Sequence, residues 1–435
     1  MNYYSSSRQS PPVNLARAVF NGLAPDGGLY MPEDVRRLPD AFFRNISEMS
    51  LQEIAFVVLN ALFGDEIDSR SLKKITDEAL SFDIPLRPID DGIYALELFH
   101  GPTYAFKDVG ARLLARILSR LNDNPGSTVN VLVATSGDSG GAVANGFFRV
   151  PGINVFVLYP AGKISREQEA QFAALGENIH AIEVHGTFDD CQTIVRNAFA
   201  DKDLCSKVKL TSANSLNPIR LLPQTIYYFY AFAQILKNSS TDPNEIIFSV
   251  PCGNLGNLCS GLFAERMGLP VKRFVAANNA NNVFHDFLDS GIYTPRTSVL
   301  TKASAMDVGA PSNFARIIDL FDRQHSKIAA RISGYSFSDR QILDVIRDTY
   351  LKHGYLLDPH GATAYMALRE ALRKGESGIF LETAHPAKFR DTVEEAIGQP
   401  IDVPEKLQIS NEPRHKESIA PTYSAFRRYF LRKSN

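Results

Sequence analysis

The chain has 435 residues, enough for two or three domains rather than one. Hydrophobic residues make up 44% and charged residues 22%, the balance of a soluble globular protein. A formal net charge of -2 excludes a global field that would gather nucleic acid or anionic membrane, so any anion must be caught locally.

The opening "MNYYSSSRQS" lacks the apolar core of a signal peptide. Residues 11 to about 95 read as a mostly helical N-terminal domain. The turn-rich "GLAPDGGLYMPED" (22–34) is followed by helical spacing in "LQEIAFVVLNALF" (51–63) and "SRSLKKITDEAL" (69–80). The pattern then becomes α/β. "GIYALELFH" (92–100) predicts a strand, and "FKDVGARLLARILSRL" (106–121) a helix with an apolar face. Strands are expected at 128–135, 153–160 and 178–185, with helices after 140, over 165–176 and over 187–200. "IRLLPQTIYYFYAFAQIL" (219–236) predicts one long buried helix. "EIIFSVPCGNLGNLCSGLFAERMG" (245–268) reads as strand, glycine loop and helix; a strand returns at 272–279, and "GIFLETAHPAKF" (378–389) reads as a late strand ending in a polar loop. Such alternation implies doubly wound parallel sheets, with ligands beyond the carboxyl ends of the strands. The tail from about 401 to 435 ends in basic residues and reads as a solvated segment.

No apolar run is long enough to span a bilayer. Cys191, Cys205, Cys252 and Cys259 are widely spaced and form no C-x-x-C, so neither a disulfide framework nor a metal site is expected. Reduced thiols in the cytoplasm fit this best.

Three segments carry chemistry. In "PCGNLGN" an apolar strand ends, Gly253 and Gly256 follow, and a helix starts. Inward-pointing N–H groups plus a helix N-terminus make a phosphate cradle, and the competing reading is an ordinary βα turn. Lys107, beside Phe106 at the start of an apolar helix, has the setting that lowers an amine's proton affinity, as a Schiff-base lysine requires. A solvated helix-start lysine is the alternative. "ATSGDSGGAV" (134–143) fits G-x-S-x-G around Ser139 and, with His353, His360 or His385 as base, would suit a hydrolase. Yet Thr135, Ser136, Asp138 and Ser139 together form a nest of hydroxyls and amides suited to gripping a carboxylate.

"FHGPTYAFKDVGARLL", "VATSGDSGGAVANGF" and "PCGNLGN", in this order, resemble threonine synthase, a pyridoxal-phosphate (PLP) family of fold type II. "GLAPDGGLYMPE", "ANSLNPIRLLPQ", "MDVGAPSNFARI", "LDPHGATAY" and "TAHPAKF" extend the resemblance nearly end to end. It implies an N-terminal domain over 1–95, a catalytic unit over 96–400 with a smaller, mobile lobe over about 125–205, and a C-terminal segment over 401–435. It implies that Lys107 binds PLP, with Phe106 along the ring. Gly253, Asn254, Leu255, Gly256 and Asn257 would hold its phosphate, and Thr383 would face the pyridine nitrogen. Thr135, Ser136, Gly137, Asp138 and Ser139 would grip the substrate carboxylate, with Asn214 and Arg220 as further substrate contacts. Arg112, Arg166, Asn313 and Lys388 join these two as candidates for the substrate phosphate. Cys252 and Leu255 stand where the family usually has Ser and Phe, Pro218 is atypical, and "SSRQ" around Arg8 replaces Ser-Thr-Arg-Gly.

The implied reaction turns O-phospho-L-homoserine and water into L-threonine and phosphate, by γ-elimination and β-addition, in a monomer or homodimer. The competing functions are a threonine or serine dehydratase of the same fold, a Ser139 hydrolase, and a ligand-binding relative without activity.

Overall fold

The apolar runs ending at Glu97, Pro251 and Glu382 are distant in the chain and adjacent in space. In the computed structural model, which describes residues 1–122, 128–135, 137–164, 166–408 and 414–433, they are the inner strands of a six-stranded sheet. Its order is Ile332–Ser336, Arg273–Asn278, Ile246–Pro251, Ser377–Glu382, Ile93–Glu97 and Leu86–Asp90, parallel throughout except for the last pair. Ile246–Pro251 is buried along nearly its whole length, as a strand covered on both faces must be. A second, all-parallel sheet runs Lys416–Ile419, Ile179–Val184, Ile153–Pro160, Val129–Ala134 and Lys209–Ser212. The chain is thus an α/β protein with two parallel-sheet lobes. A third, N-terminal unit joins the antiparallel strands Asn2–Ser5, Val13–Asn14 and Tyr30–Pro32 to the helices Leu51–Phe63 and Ser69–Ala79.

Several helices begin where side chains can satisfy the first turn. Ser50 and Glu53 form a reciprocal capping box, Asp68 caps Ser69–Ala79, and Thr187 with Asp190 caps Phe188–Ala200.

Four expectations need correction. The strands Leu86–Asp90 and Ile93–Glu97 belong to the large sheet, so the N-terminal unit ends before Leu86 rather than at 95. The smaller lobe extends past 205, because Lys209–Ser212 pairs with Val129–Ala134. The long helix over 219–236 is broken: Pro218–Leu221 and a 3-10 turn at Leu222–Gln224 precede Thr225–Asn238. Pro223 lacks an N–H and disfavours helix at the residue before it, which explains the break. Finally, the tail is not merely solvated. Lys416–Ile419 adds an edge strand to the smaller sheet, and Tyr423–Lys433 buries Phe426, Tyr429 and Phe430 in that lobe's core. Its basic face is consumed in part by pairs from Arg427 to Asp201 at 3.0 Å and to Asp203 at 2.5 Å.

Candidate active site

Lys107 opens the helix Lys107–Leu121, directly after a loop held from several sides. Asp108, one residue into the helix, accepts from Thr103 N at 2.9 Å and Thr103 Oγ1 at 2.7 Å. A Cβ at Gly101 would lie 2.5 Å from Asp108 Oδ2, so only glycine fits there. Phe106 N donates to Thr383 O at 2.9 Å, and His385 N to Tyr104 O at 3.1 Å. The loops after Ile93–Glu97 and Ser377–Glu382 are therefore tied across the carboxyl end of the large sheet. This brings Thr383, which is buried, beside Phe106 and Lys107.

The segment 213–228 stitches the lysine to the glycine loop. Arg220 is buried and donates to Lys107 O and to Ala213 O, each at 3.0 Å. Tyr227 OH donates to Phe106 O, and its neighbour Tyr228 OH donates to Asn257 O at 2.9 Å. Two adjacent tyrosines on one helix thus fix the starts of the lysine helix and of Gly256–Arg266. The sequence carried a signal for this: hydroxyls in the otherwise apolar "TIYYFYAF" must find partners when buried.

The glycine loop has the shape of an anion cradle. Leu255 sits at φ 59°, and the helix Gly256–Arg266 starts with no side-chain cap on its first turn. Asn257 Nδ2 is buried without a partner. A Cβ at Gly253 would lie 2.9 Å from Met306 Cα, so the backbone packs as tightly as glycine permits. Uncapped helix N–H groups, a positive helix end and an orphaned amide donor fit a phosphate group. Lys107 and this cradle, joined by Tyr227 and Tyr228, fit pyridoxal phosphate.

Opposite them stands the helix Asp138–Phe147 of the smaller lobe. Its N-cap, Gly137, has φ 144°, and a Cβ there would lie 2.5 Å from Gln168 Nε2. Asp138 is buried and pairs with Lys388 at 2.8 Å, their side chains being 7% and 2% exposed. Lys388 also donates to Thr103 O at 2.9 Å, and Gln168 Nε2 to Asp138 Oδ1 at 3.3 Å. Burial works against the Asp138 carboxylate, but Lys388 and Lys107 outweigh it and hold the carboxyl well below its usual range. Lys107 moves downward too. Burial is the main cause, Asp138 opposes it, and Lys388 and Arg220 add to it. A cavity of about 1050 Å³, lined by Gln168, Gln171, Lys388 and Arg390 among others, opens beside this pair.

The remaining candidates sort by what they touch. Thr135 was expected on the substrate, but its hydroxyl accepts from Gly137 N and Gly140 N and donates to Gly137 O, at 2.9–3.1 Å. Its bonding capacity is spent shaping the loop. Ser136 lies outside the described residues. Ser139 is partly exposed on the first turn, and among the described residues it has no hydrogen bond to a histidine. His360 instead pairs with Asp358 and accepts from Ala305 N at 3.2 Å, and His385 accepts from Ala387 N at 3.1 Å. The hydrolase reading therefore loses its base. Asn214, partly buried, accepts from Asn217 N at 3.0 Å through its carbonyl. Arg112 is turned to Glu78 O and Ala79 O, each at 2.7 Å, and ties down the N-terminal unit instead of the site. Arg166 is exposed, and Asn313 is buried against the glycine loop.

Known proteins resemble the chain along its whole length. Residues 84–379 match the family model described as pyridoxal-phosphate dependent enzyme, residues 2–80 that of the threonine synthase N terminus, and residues 361–429 that of the threonine synthase C-terminal region. The threonine synthase of Haemophilus influenzae is 41% identical over 433 residues, covering 99% of this chain and 100% of its own. The crystal structure of PLP-bound threonine synthase from Brucella melitensis superposes with a TM-score of 0.93 at 32% identity, covering 100% of both chains. That of threonine synthase from Escherichia coli gives 0.90 at 38% identity, covering 99% of this chain and 100% of the other. These matches run from one end of the chain to the other, and the chain belongs to the threonine synthase family of pyridoxal-phosphate enzymes.

Proposed function

We propose that the chain converts O-phospho-L-homoserine and water into L-threonine and phosphate. The observation that carries this is the buried constellation of Lys107, Asp138 and Lys388, joined through Tyr227 and Tyr228 to an uncapped helix N-terminus. Lys107 would bind the cofactor, Gly253, Asn254, Leu255, Gly256 and Asn257 would hold its phosphate, and Phe106 and Thr383 would line the site beside Lys107. When bound, pyridoxal phosphate supplies the electron sink for charge that develops beside the amino group.

The chain's own groups handle positioning and protons. Asp138 and Ser139, presented by the turn at Gly137, bring backbone N–H groups and a positive helix end to the substrate α-carboxylate. Lys107 Nζ, its proton affinity lowered by burial, is the base that takes protons from Cα and then Cβ. The Cγ–O bond breaks, phosphate departs with the electron pair and one of the two abstracted protons, and Cγ gains the other to become the methyl group. Water then gives hydroxyl to Cβ and its remaining proton to Lys107 Nζ, which passes it to Cα. The Asp138–Lys388 pair stands beside this amine and sets the local charge. Lys388 and Arg220 are the cations nearest to Lys107 by their effect on it, and they support an anionic substrate.

The test is turnover of O-phosphohomoserine by purified protein supplied with the cofactor. Phosphate and threonine released one for one are expected. A 2-oxo acid formed from threonine or serine, without phosphate release, would favour a dehydratase. Absence of both products would sink the enzymatic reading.

A further inference from the structure

Among the described residues, Arg316 is a cation without a counter-ion. It lies on the short helix Phe314–Leu320 and is 1% exposed. Every acceptor around it is neutral. Nε and Nη2 reach Tyr30 O at 3.4 and 3.3 Å, and Nη2 also reaches Leu216 O at 2.6 Å. Nη1 donates to Ser215 O at 3.2 Å and to Asn313 Oδ1 at 2.6 Å. Burial pulls its pKa down to about 10; Cys259 opposes that shift, and among the described residues no carboxylate does. Buried charges are ordinarily paired, so the missing anion calls for an explanation.

The hydrogen bonds lead to one place. Asn313, itself buried, donates from Nδ2 to Asn254 O at 2.9 Å. Asn254 Oδ1 accepts from Ser312 N at 2.5 Å, and Asn254 Nδ2 donates to Ser215 Oγ at 2.9 Å. Ser215 O returns to Arg316, which closes the circuit. The circuit grips the glycine loop from behind. In a trans peptide the carbonyl and the next N–H point in opposite directions. Holding Asn254 O against Asn313 therefore turns the Leu255 N–H away from it, at the residue whose φ of 59° redirects the chain into the helix.

We propose that Arg316 is the positioning residue of the phosphate cradle: through Asn313 and Asn254 it fixes the loop's amides, and the phosphate seated there is its counter-ion. The inference rests on the assignment of Gly253–Asn257 as the cofactor's phosphate site. It also gives the site a wider reach. Tyr30 belongs to the N-terminal unit and Ser215 to the loop carrying Asn214, so phosphate occupancy orders both.

The test measures thermal unfolding of the cofactor-stripped full chain against inorganic phosphate, then against pyridoxal phosphate, with chloride at equal ionic strength as control. Wild type, Arg316→Met, Arg316→Lys and Asn313→Ala are compared. Wild type is expected to gain stability with either ligand. Arg316→Met should lose at least half of the phosphate-induced shift and at least tenfold in cofactor affinity, and Arg316→Lys should recover part of the shift. Asn313→Ala leaves the bonds of Arg316 to Tyr30, Ser215 and Leu216 in place, and should still lose cofactor affinity. It decides the matter if Arg316→Met does not fold. A lower baseline with an unchanged ligand-induced shift would make Arg316 a purely structural strut and overturn the proposal, as would wild-type affinity in Asn313→Ala. A wild-type chain that responds to neither ligand would instead remove the phosphate-site assignment itself.

Discussion

Replacing Lys388 by Met should damage both stability and the pH profile, and the two effects have one cause. The ammonium sits 2.8 Å from Asp138. At an effective dielectric of about 20, that separation corresponds to about 6 kcal/mol of attraction. Desolvating two ions offsets much of this, so the pair contributes little net stability; removing one partner, however, leaves a buried charge and costs about 3–5 kcal/mol. Asp138→Asn should cost a similar amount, and the double variant much less than the sum. Denaturant titration of the four proteins gives the coupling energy, expected at about 2 kcal/mol or more. The kinetic consequence follows from sign. Lys388 lowers the pKa of Lys107, and Asp138 raises it. Without Lys388 the amine holds its proton to higher pH. A base works only when deprotonated, so activity falls as pH drops through its pKa, and the acid limb of kcat, which reports the substrate-bound enzyme where the amine is released from the cofactor, should move up. Strict additivity of the two single variants, or an unmoved acid limb in Lys388→Met, would refute the reasoning.

Lys107→Met should abolish cofactor attachment, read as loss of the borohydride-reducible visible band, while making the cofactor-stripped chain more stable. The folded pKa of Lys107 lies below its unfolded value, so the wild-type penalty is largest at low pH and fades as pH rises toward the ordinary lysine value; the gain from Met should shrink in parallel. Gly137→Ala, at φ 144° and with Gln168 Nε2 2.5 Å from the new Cβ, should lower kcat/KM about a hundredfold while far-ultraviolet circular dichroism stays unchanged. Thr135→Val removes the hydroxyl that holds Gly137 and Gly140; it should cost about 1–3 kcal/mol in chemical denaturation and raise KM for the substrate. Truncation after Val403 strips Phe426, Tyr429 and Phe430 from the smaller lobe, and should yield a chain that binds a hydrophobic dye and is cleaved within residues 153–212 by limited proteolysis.

How much of this was legible depended on how local each signal was. The lysine helix, the glycine loop and the strand over 153–160 were visible because their apolar period, glycines and boundaries lie within one short window. Thr135 showed the opposite problem. Its residue type marked it as a ligand, yet the hydroxyl turned inward to make the loop that presents its neighbours. The tail misled for another reason: "RRYFLRK" shows its charges in a row, while the stripe of Phe426, Tyr429 and Phe430 has meaning only against Phe156. Pro223 was in plain view, and the apolar run around it disguised the break it makes.

What no window could reveal is that the site is closed by pairs whose partners are far apart in the chain. Asp138 and Lys388 come from different lobes, and Arg316 joins Tyr30, Ser215 and Asn313. Both arrangements place a buried cation where an incoming anion is expected, and both fix backbone that the anion must meet. A lone charge in an apolar interior is tolerated when function requires it. The two cations differ in consequence. Lys388 already has Asp138, so it can set the charge state of Lys107 before any ligand arrives. Arg316 faces only carbonyl and amide oxygens, so its stabilisation waits for a phosphate. On the proposed assignments, the first governs how the amine titrates, and the second how firmly the cofactor is held.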